Sequence, residues 1–320
     1  MIKRKFNAEV SFDKVRLHSS EKVSSWGSLF ERFKQSIREE DIRYYPNVKS
    51  SRAYSLLQDY YKHEELLIGF GSDRCLKYFF EINQDYSKVI TTNPNFPMYN
   101  IYSDMFNMEQ EVVEYDNLIF PIEALLDKIT LDSIVVISNP SSPIGDLINT
   151  VDILRILDKG VPVLIDEAYI EFSSAVSSIP LIKTNTNLFV TRTFSKALGS
   201  AGIRFGTILS QRENIQKLSQ YRDMYETSGI TLKWVEVLLS NDYYIESYIK
   251  KIKETKLLLE DNLRENNIEF ITSESNWIHI RGQFNIPNTL EIKSNCTVPG
   301  RGSDWIRLCI AEDINKYDWI

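Results

Sequence analysis

The sequence predicts an α/β protein: a mostly parallel central sheet sandwiched by helices, with a smaller second lobe. Three observations carry that prediction. Short β-branched runs alternate with helical patterns through the middle of the 320-residue chain, as strands joined by crossover helices do. Three polar or glycine-bearing motifs fall directly after such runs, where open α/β sheets bind ligands beyond the carboxyl ends of their strands. From about Thr231 the alternation stops, and a long helical pattern leads into a turn-rich tail.

The run at 66–69 leads to a helical pattern at 73–81. The run at 88–92 precedes one at 98–106, 111–114 precedes 122–129, and 133–137 precedes 151–157. Runs at 163–165, 188–190 and 207–209 complete the set. Residues 232–263 read as one connecting helix, placed at about 231–264. There Lys250, Lys251, Lys253, Glu254 and Lys256 are interspersed with Ile249, Ile252, Leu257 and Leu258. Strand candidates follow at 268–272 and 277–280, then turn residues Pro287, Pro299, Gly300 and Gly302, then an apolar run at 305–310. The expected division is a large domain over 26–240 and a small one over 1–25 and 241–320.

Composition sets limits. A hydrophobic fraction of 43% and a charged fraction of 25% are ordinary for a globular protein. A net charge of −7 gives no support for a nucleic-acid partner, so small anionic ligands would need a locally basic pocket. Cys75, Cys296 and Cys309 are odd in number and match no zinc spacing, which suits reduced thiols. His18, His63 and His279 are too scattered to argue for a metal, and His279 reads as a structural strand residue. The basic start Met1-Ile2-Lys3-Arg4-Lys5 has no apolar run behind it, and no segment approaches the roughly 18 apolar residues of a membrane span. A cytoplasmic protein without membrane contact is expected.

Four motifs converge on one chemistry. The most informative is Ser195-Lys196-Ala197-Leu198-Gly199-Ser200-Ala201-Gly202-Ile203-Arg204. A lysine amine can condense with the aldehyde of pyridoxal phosphate, while Ser195 and Arg204 can hold the phosphate and the glycines permit tight turns. A solvated lysine in a loop is the plainer reading, but the surrounding serine, glycines and arginine lie at useful spacings. Gly69-Phe70-Gly71-Ser72-Asp73 opens a helix after a strand and suits an anion. In Leu164-Ile165-Asp166-Glu167-Ala168-Tyr169, Asp166 ends a buried run and can pair with a protonated pyridine nitrogen, and Tyr169 can reach the ring's phenolic oxygen. An aspartate capping the next element is an equal alternative for Asp166 alone. Asn139-Pro140-Ser141-Ser142-Pro143 reads by itself as a loop.

Taken together, these runs resemble fold type I pyridoxal-phosphate enzymes of the class I/II aminotransferase superfamily, and within it the histidinol-phosphate aminotransferase branch. The resemblance spans about 42–280. It implies Lys196 as the Schiff-base lysine, Asp166 on the pyridine nitrogen and Tyr169 on the phenolic oxygen. It implies Ser72, Asp73, Ser195 and Arg204 at the phosphate, and Phe96 of Pro94-Asn95-Phe96-Pro97-Met98-Tyr99 stacked on the ring. Arg43-Tyr44-Tyr45-Pro46 resembles a segment whose tyrosine, here Tyr45, reaches the neighbouring subunit's phosphate, which implies a homodimer. Arg307 corresponds to a substrate-carboxylate arginine, and Lys293 falls near a second one. The chain departs from the family at Ser142, where an asparagine is usual. It departs also at Leu17-His18-Ser19-Ser20-Glu21, where the Asn-Glu-Asn-Pro segment is missing, and in its abridged tail.

The function so implied is transamination between an amino donor, with glutamate and 2-oxoglutarate as the pair, and a small amine such as histidinol phosphate. Two alternatives share the residues. Decarboxylation of a phosphorylated amino acid would use the same cofactor. A non-catalytic pyridoxal-phosphate-binding protein would fit Ser142 and the shortened lobe.

Overall fold

The computed structural model describes residues 14–282, 284 and 290–314. The basic start and Pro287 lie outside them. The described chain begins with a short strand β1 (Val15–Arg16) and helices α1 (Ser28–Ser36), α2 (Glu40–Arg43) and α3 (Arg52–Tyr61). Strands β2 (Leu66–Phe70), β3 (Lys88–Asn93), β4 (Glu109–Glu114), β5 (Ser133–Ser138), β6 (Val163–Asp166), β7 (Leu188–Thr193) and β8 (Phe205–Leu209) form one sheet in the order β2-β8-β7-β6-β5-β3-β4. Helices α4 (Gly71–Ile82), α5 (Pro97–Met105), α6 (Ile122–Lys128) and α7 (Thr150–Leu157) alternate with these strands.

Every pairing from β7 to β4 is parallel, while β8 runs antiparallel to both β2 and β7. The exception has a simple cause. Parallel neighbours need a crossover, usually a helix, but β7 and β8 are joined only by the loop at 194–204 with a single 3-10 turn. That loop carries Lys196.

Strands β5 to β8 are buried along their whole length. Successive residues serve opposite faces, as the pleat requires. Val135 and Ile137 join one core with Val163, Ile165 and Val190. Ile134 and Val136 join the other with Leu76 and Phe79 of α4. Each such side chain stabilises the fold by roughly 1.5–3 kcal/mol.

The single helix read over 231–264 is two, α9 (Gly229–Leu239) and α10 (Tyr243–Glu265), after α8 (Arg212–Leu218). Ser240-Asn241-Asp242 makes the break. Asn241 donates its side-chain amide to the Val237 carbonyl at 2.7 Å, and the Asp242 carbonyl accepts from Ile245 at 2.8 Å. Such short polar side chains compete with the helix for its own backbone groups. The break lets α9 pack on α1, α2 and α3 while α10 runs on toward the tail.

The tail forms a second sheet. β9 (Phe270–Ile271), β10 (Trp277–Arg281), β12 (Lys293–Val298) and β13 (Gly302–Cys309) pair antiparallel in the order β12-β13-β10-β9, after β11 (Leu290–Glu291) pairs in parallel with β1. The stretch read as turns thus contains strand β12. Its hairpin turn sits at Pro299-Gly300-Arg301, with Gly300 at φ 69°. The strand expected at 268–272 contracts to its middle, and the last strand starts at Gly302. No described helix is long and apolar enough to cross a membrane.

Candidate active site

Asp166 closes β6 in register with Thr191 of β7. Its Oδ1 accepts from Thr191 Oγ1 at 2.9 Å and its Oδ2 from the Tyr99 hydroxyl at 2.9 Å. The side chain is 4% exposed. Burial raises its carboxyl pKa to about 6, against the pull of the two hydrogen bonds and with a smaller push from Asp73. Such a carboxylate is built to meet a cation.

Tyr99 was not singled out by the sequence reading. It lies one helical turn beyond Phe96, on the face that α5 turns toward the sheet, and Phe96 meets it edge-on at 5.7 Å. Burial and the Asp166 carboxylate beside it hold its hydroxyl far above the usual phenol range. The i, i+3 spacing from Phe96 was the available signal.

The second anchor is an anion cup where α4 starts. The β2–β8 pairing sets Gly206 against Gly69 and brings Arg204 over the helix N-terminus, where Gly71 N donates to the Arg204 carbonyl at 2.9 Å. Arg204 Nη2 lies 3.5 Å from Asp73 Oδ2, and Nη1 lies 3.5 Å from Ser195 Oγ and donates to the Ala201 carbonyl at 3.1 Å. Two glycines make this approach possible. A Cβ on Gly206 would come within 2.4 Å of Ser72 N, and one on Gly71 within 2.4 Å of Arg204 Nη2. The cup presents the Ser72 and Ser195 hydroxyls, the guanidinium and the positive end of a 12-residue helix.

Lys196 stands between the two anchors. Its Nζ donates to the Ser19 carbonyl at 2.7 Å and lies 5.6 Å from the centre of the Tyr169 ring, which packs edge-on against Trp277 at 4.6 Å. Phe96, Ser142, Ser19 and Glu21 complete the walls of a cavity of about 200 Å³. Ser142 N donates to Ser138 Oγ at 3.0 Å. The motif's own asparagine, Asn139, is buried and spends both ends of its amide on the Ile148 backbone, so it does not replace a ring contact.

The structure therefore gathers Lys196, Asp166, Tyr169, Ser72, Asp73, Phe96, Ser142, Ser195 and Arg204 around one cavity. Two expected residues stand apart from it. Tyr45 is 77% exposed and stacks on Tyr225 at 4.1 Å. Arg307 on β13 donates to the His18 carbonyl at 2.9 Å, with its guanidinium 5.2 Å from the Trp277 ring. Lys293 and His279 are its register partners on either side. Ser19 and Glu21 are the residues the sequence reading missed outright. They lie 177 and 175 positions from Lys196, and the only local signal was the departure of the segment at 17–21 from the family's pattern. Among the described residues, no group of three or more His, Cys, Asp or Glu side chains is placed to hold a metal.

The sequence profile for aminotransferase class I and II matches residues 14–312. The chain belongs to that family. A histidinol-phosphate aminotransferase of Thermococcus gammatolerans is 31% identical over 242 residues, which cover 75% of this chain and 71% of that one. Among solved structures, the histidinol-phosphate aminotransferase of Sinorhizobium meliloti in complex with pyridoxal-5'-phosphate matches with a TM-score of 0.79 at 19% identity, over 93% of this chain and 87% of that one. The L-threonine-O-3-phosphate decarboxylase of Porphyromonas gingivalis matches with a TM-score of 0.77 at 17% identity, over 94% of this chain and 95% of that one.

As a class I/II aminotransferase the protein uses pyridoxal phosphate, and the residues present fit that group. A buried carboxylate that binds its proton too tightly needs a cationic partner, which a protonated pyridine nitrogen supplies. The cup with two obligatory glycines has room and charge for a phosphate ester. A primary amine lies between the two.

Proposed function

We propose that this aminotransferase exchanges an amino group between glutamate or its oxo acid and a small phosphorylated amine of the histidinol-phosphate type. One observation carries the reading: the Lys196 amine shares a cavity with a buried acid and an arginine-lined helix N-terminus, the three functions pyridoxal phosphate requires. The 31% identity to a histidinol-phosphate aminotransferase supports the substrate class.

When bound, the cofactor supplies an aldehyde for the amine and a ring that accepts the electron pair released at the substrate carbon. The chain's residues then divide the work. The Lys196 amine would hold the cofactor aldehyde and, when free, would serve as the proton donor and acceptor of the site. Asp166, oriented by Tyr99 and Thr191, keeps the ring nitrogen protonated. Tyr169 would donate to the phenolic oxygen, Ser142 lines the same cavity, and Phe96 would cover the ring. Ser72, Ser195 and Arg204 take the phosphate, and Asp73 steadies Arg204.

Arg307, with Lys293 beside it, takes the anionic group of the substrate. The Arg307 Nε is buried without a hydrogen-bond partner in the structure, and an incoming anion would satisfy it. Residues 26–240 would then form the cofactor domain, with 1–25 and 241–320 as the substrate-side lobe. A homodimer follows from the same reading. Ile42, Tyr44, Tyr45, Phe70, Met224 and Tyr225 are large side chains exposed on and just after α2, beside the anion cup and on the segment at 221–225, and a second copy would cover them.

The test is a screen of amino donors against the purified, cofactor-loaded protein, read by the visible band and by oxo-acid formation. Histidinol phosphate and glutamate should both shift the band and yield oxo products. Carbon dioxide release without an oxo acid would replace transamination by decarboxylation. A band that no donor moves would leave a binding protein.

A further inference from the structure

One buried guanidinium ties together two segments of the site. Arg192 sits on β7 between Thr191, which donates to Asp166, and Thr193, which lines the cavity. The pleat sends its side chain to the opposite face from theirs. There its Nη2 donates to Glu171 Oε1 at 2.6 Å and its Nη1 to Glu167 Oε2 at 3.3 Å. The three side chains are 7%, 10% and 0% exposed. Glu167 also accepts from Ser177 Oγ at 2.6 Å and from Ser178 N at 2.5 Å, and the Tyr61 ring lies 5.3 Å from the guanidinium. Burial works against the charge on Arg192, but Glu171 and Glu167 together hold its proton more firmly than usual.

The two carboxylates stand two positions either side of Tyr169. The arc 167–171 follows Asp166 directly and carries Tyr169 at its centre. Both its ends are fixed to the strand that runs on to Ser195 and Lys196. Stability alone is a poor reason for such a cluster. A buried ion pair gains little over apolar residues of the same volume, and here Arg192 Nε is buried without a hydrogen-bond partner among the described residues. What a planar, two-pronged donor supplies is geometry.

We infer that Arg192 is a positioning residue for the cofactor: through Glu171 it sets where the Tyr169 hydroxyl stands, and through Glu167 it fixes the strand end that carries Asp166. The inference rests on the cofactor roles proposed for Tyr169 and Asp166. It adds no chemical step. Arg192 touches neither the ring nor the substrate, and acts only on the residues that do.

The experiment is a double-mutant cycle on cofactor binding. Wild type, Arg192→Lys and Glu171→Gln are each compared with and without Tyr169→Phe. Equilibrium dialysis of pyridoxal phosphate gives affinity, the visible band reports the ring's surroundings, and thermal melts of the cofactor-free proteins report the fold. Glu171→Gln keeps the side chain's shape and removes only its charge, so it serves if Arg192→Lys does not fold. Each single variant should weaken binding about three- to tenfold and displace the band, because hydrogen bonds to the ring tune its electronics. With Phe at 169 the same changes should cost much less, since the hydroxyl they position is gone. An equal loss in both backgrounds with an unmoved band would reduce the cluster to structural support and overturn the inference. So would variants that bind like wild type. A wild type that takes no cofactor overturns the proposed function itself.

Discussion

The central sheet and the tail sheet solve different problems. The residues proposed to hold the cofactor sit at the ends of β6 and β7, on the β7–β8 loop and at the start of α4, all fastened to strands buried along their length. The groups proposed to face the substrate, Arg307 and Lys293, sit on the smaller sheet, which shares the core of the large one through Trp277, Ile278 and Leu308. The N-terminal segment is tied to the tail by the ion pair of Lys22 with Glu312 at 2.7 Å, in which burial pulls the Lys22 amine below its usual range. The difference teaches where change is tolerated. A cofactor of fixed shape demands a rigid frame, whereas substrate preference can shift with a loop or a strand register.

The comparison breaks most directly at Lys196. Lys196→Ala should cut transamination by at least about a thousandfold and remove the visible band, as a lysine that both binds and moves protons requires. Full activity would put the chemistry elsewhere.

Asp166→Asn should keep cofactor in place yet slow turnover by roughly a hundredfold, read in single-turnover kinetics. The same variant sharpens a pH prediction. The folded carboxyl, held up at about 6 by burial, binds its proton more tightly than the unfolded one near 3.8. The cofactor-free protein should therefore gain stability as pH falls from 6 toward 4 and lose it as pH rises through that window. The size is on the order of 3 kcal/mol. Thermal melts of cofactor-free wild type should show this slope, and Asp166→Asn should flatten it.

Gly206→Ala drives a methyl into the backbone of Ser72, which must move. The expected loss is roughly 1–3 kcal/mol of stability and a weaker hold on the phosphate. Equilibrium dialysis of pyridoxal phosphate measures the second part. The smallest effect belongs to the tail sheet. Arg307→Lys should raise KM for the anionic substrate about tenfold, the scale of one lost charge-assisted bond, with the visible band unaltered. If it instead abolished the band, the two sheets would not be separable in function.

Much of the large sheet was legible because its strands are covered on both faces. Runs such as Ile134-Val135-Val136-Ile137 cannot be anything but buried, and motifs that follow them must lie at the ligand-binding edge. Asp166 was read that way, and Lys196 and Arg204 from the serine and glycines of their own motif. Legibility failed where the physics was local competition or distant contact. The α9–α10 break falls at three polar residues, and there the Asn241 side chain takes the Val237 carbonyl from the helix. The run of strand β12 is diluted by lysine, serine and asparagine, so its alternation does not show in the sequence.

What the sequence by itself determined is the proposed cofactor frame: a buried run ending in Asp166, a lysine in a glycine-rich loop, and an arginine eight positions after that lysine. These are properties of short segments, set by burial and backbone geometry. The tertiary structure alone decided which residues meet across the cavity. Tyr99 reaches Asp166 from a helix 67 positions away, and Ser19 reaches Lys196 from 177. No periodicity encodes such contacts. They exist because folding the sheets together leaves buried donors and acceptors that must find partners, and the N-terminal segment is what lies within reach.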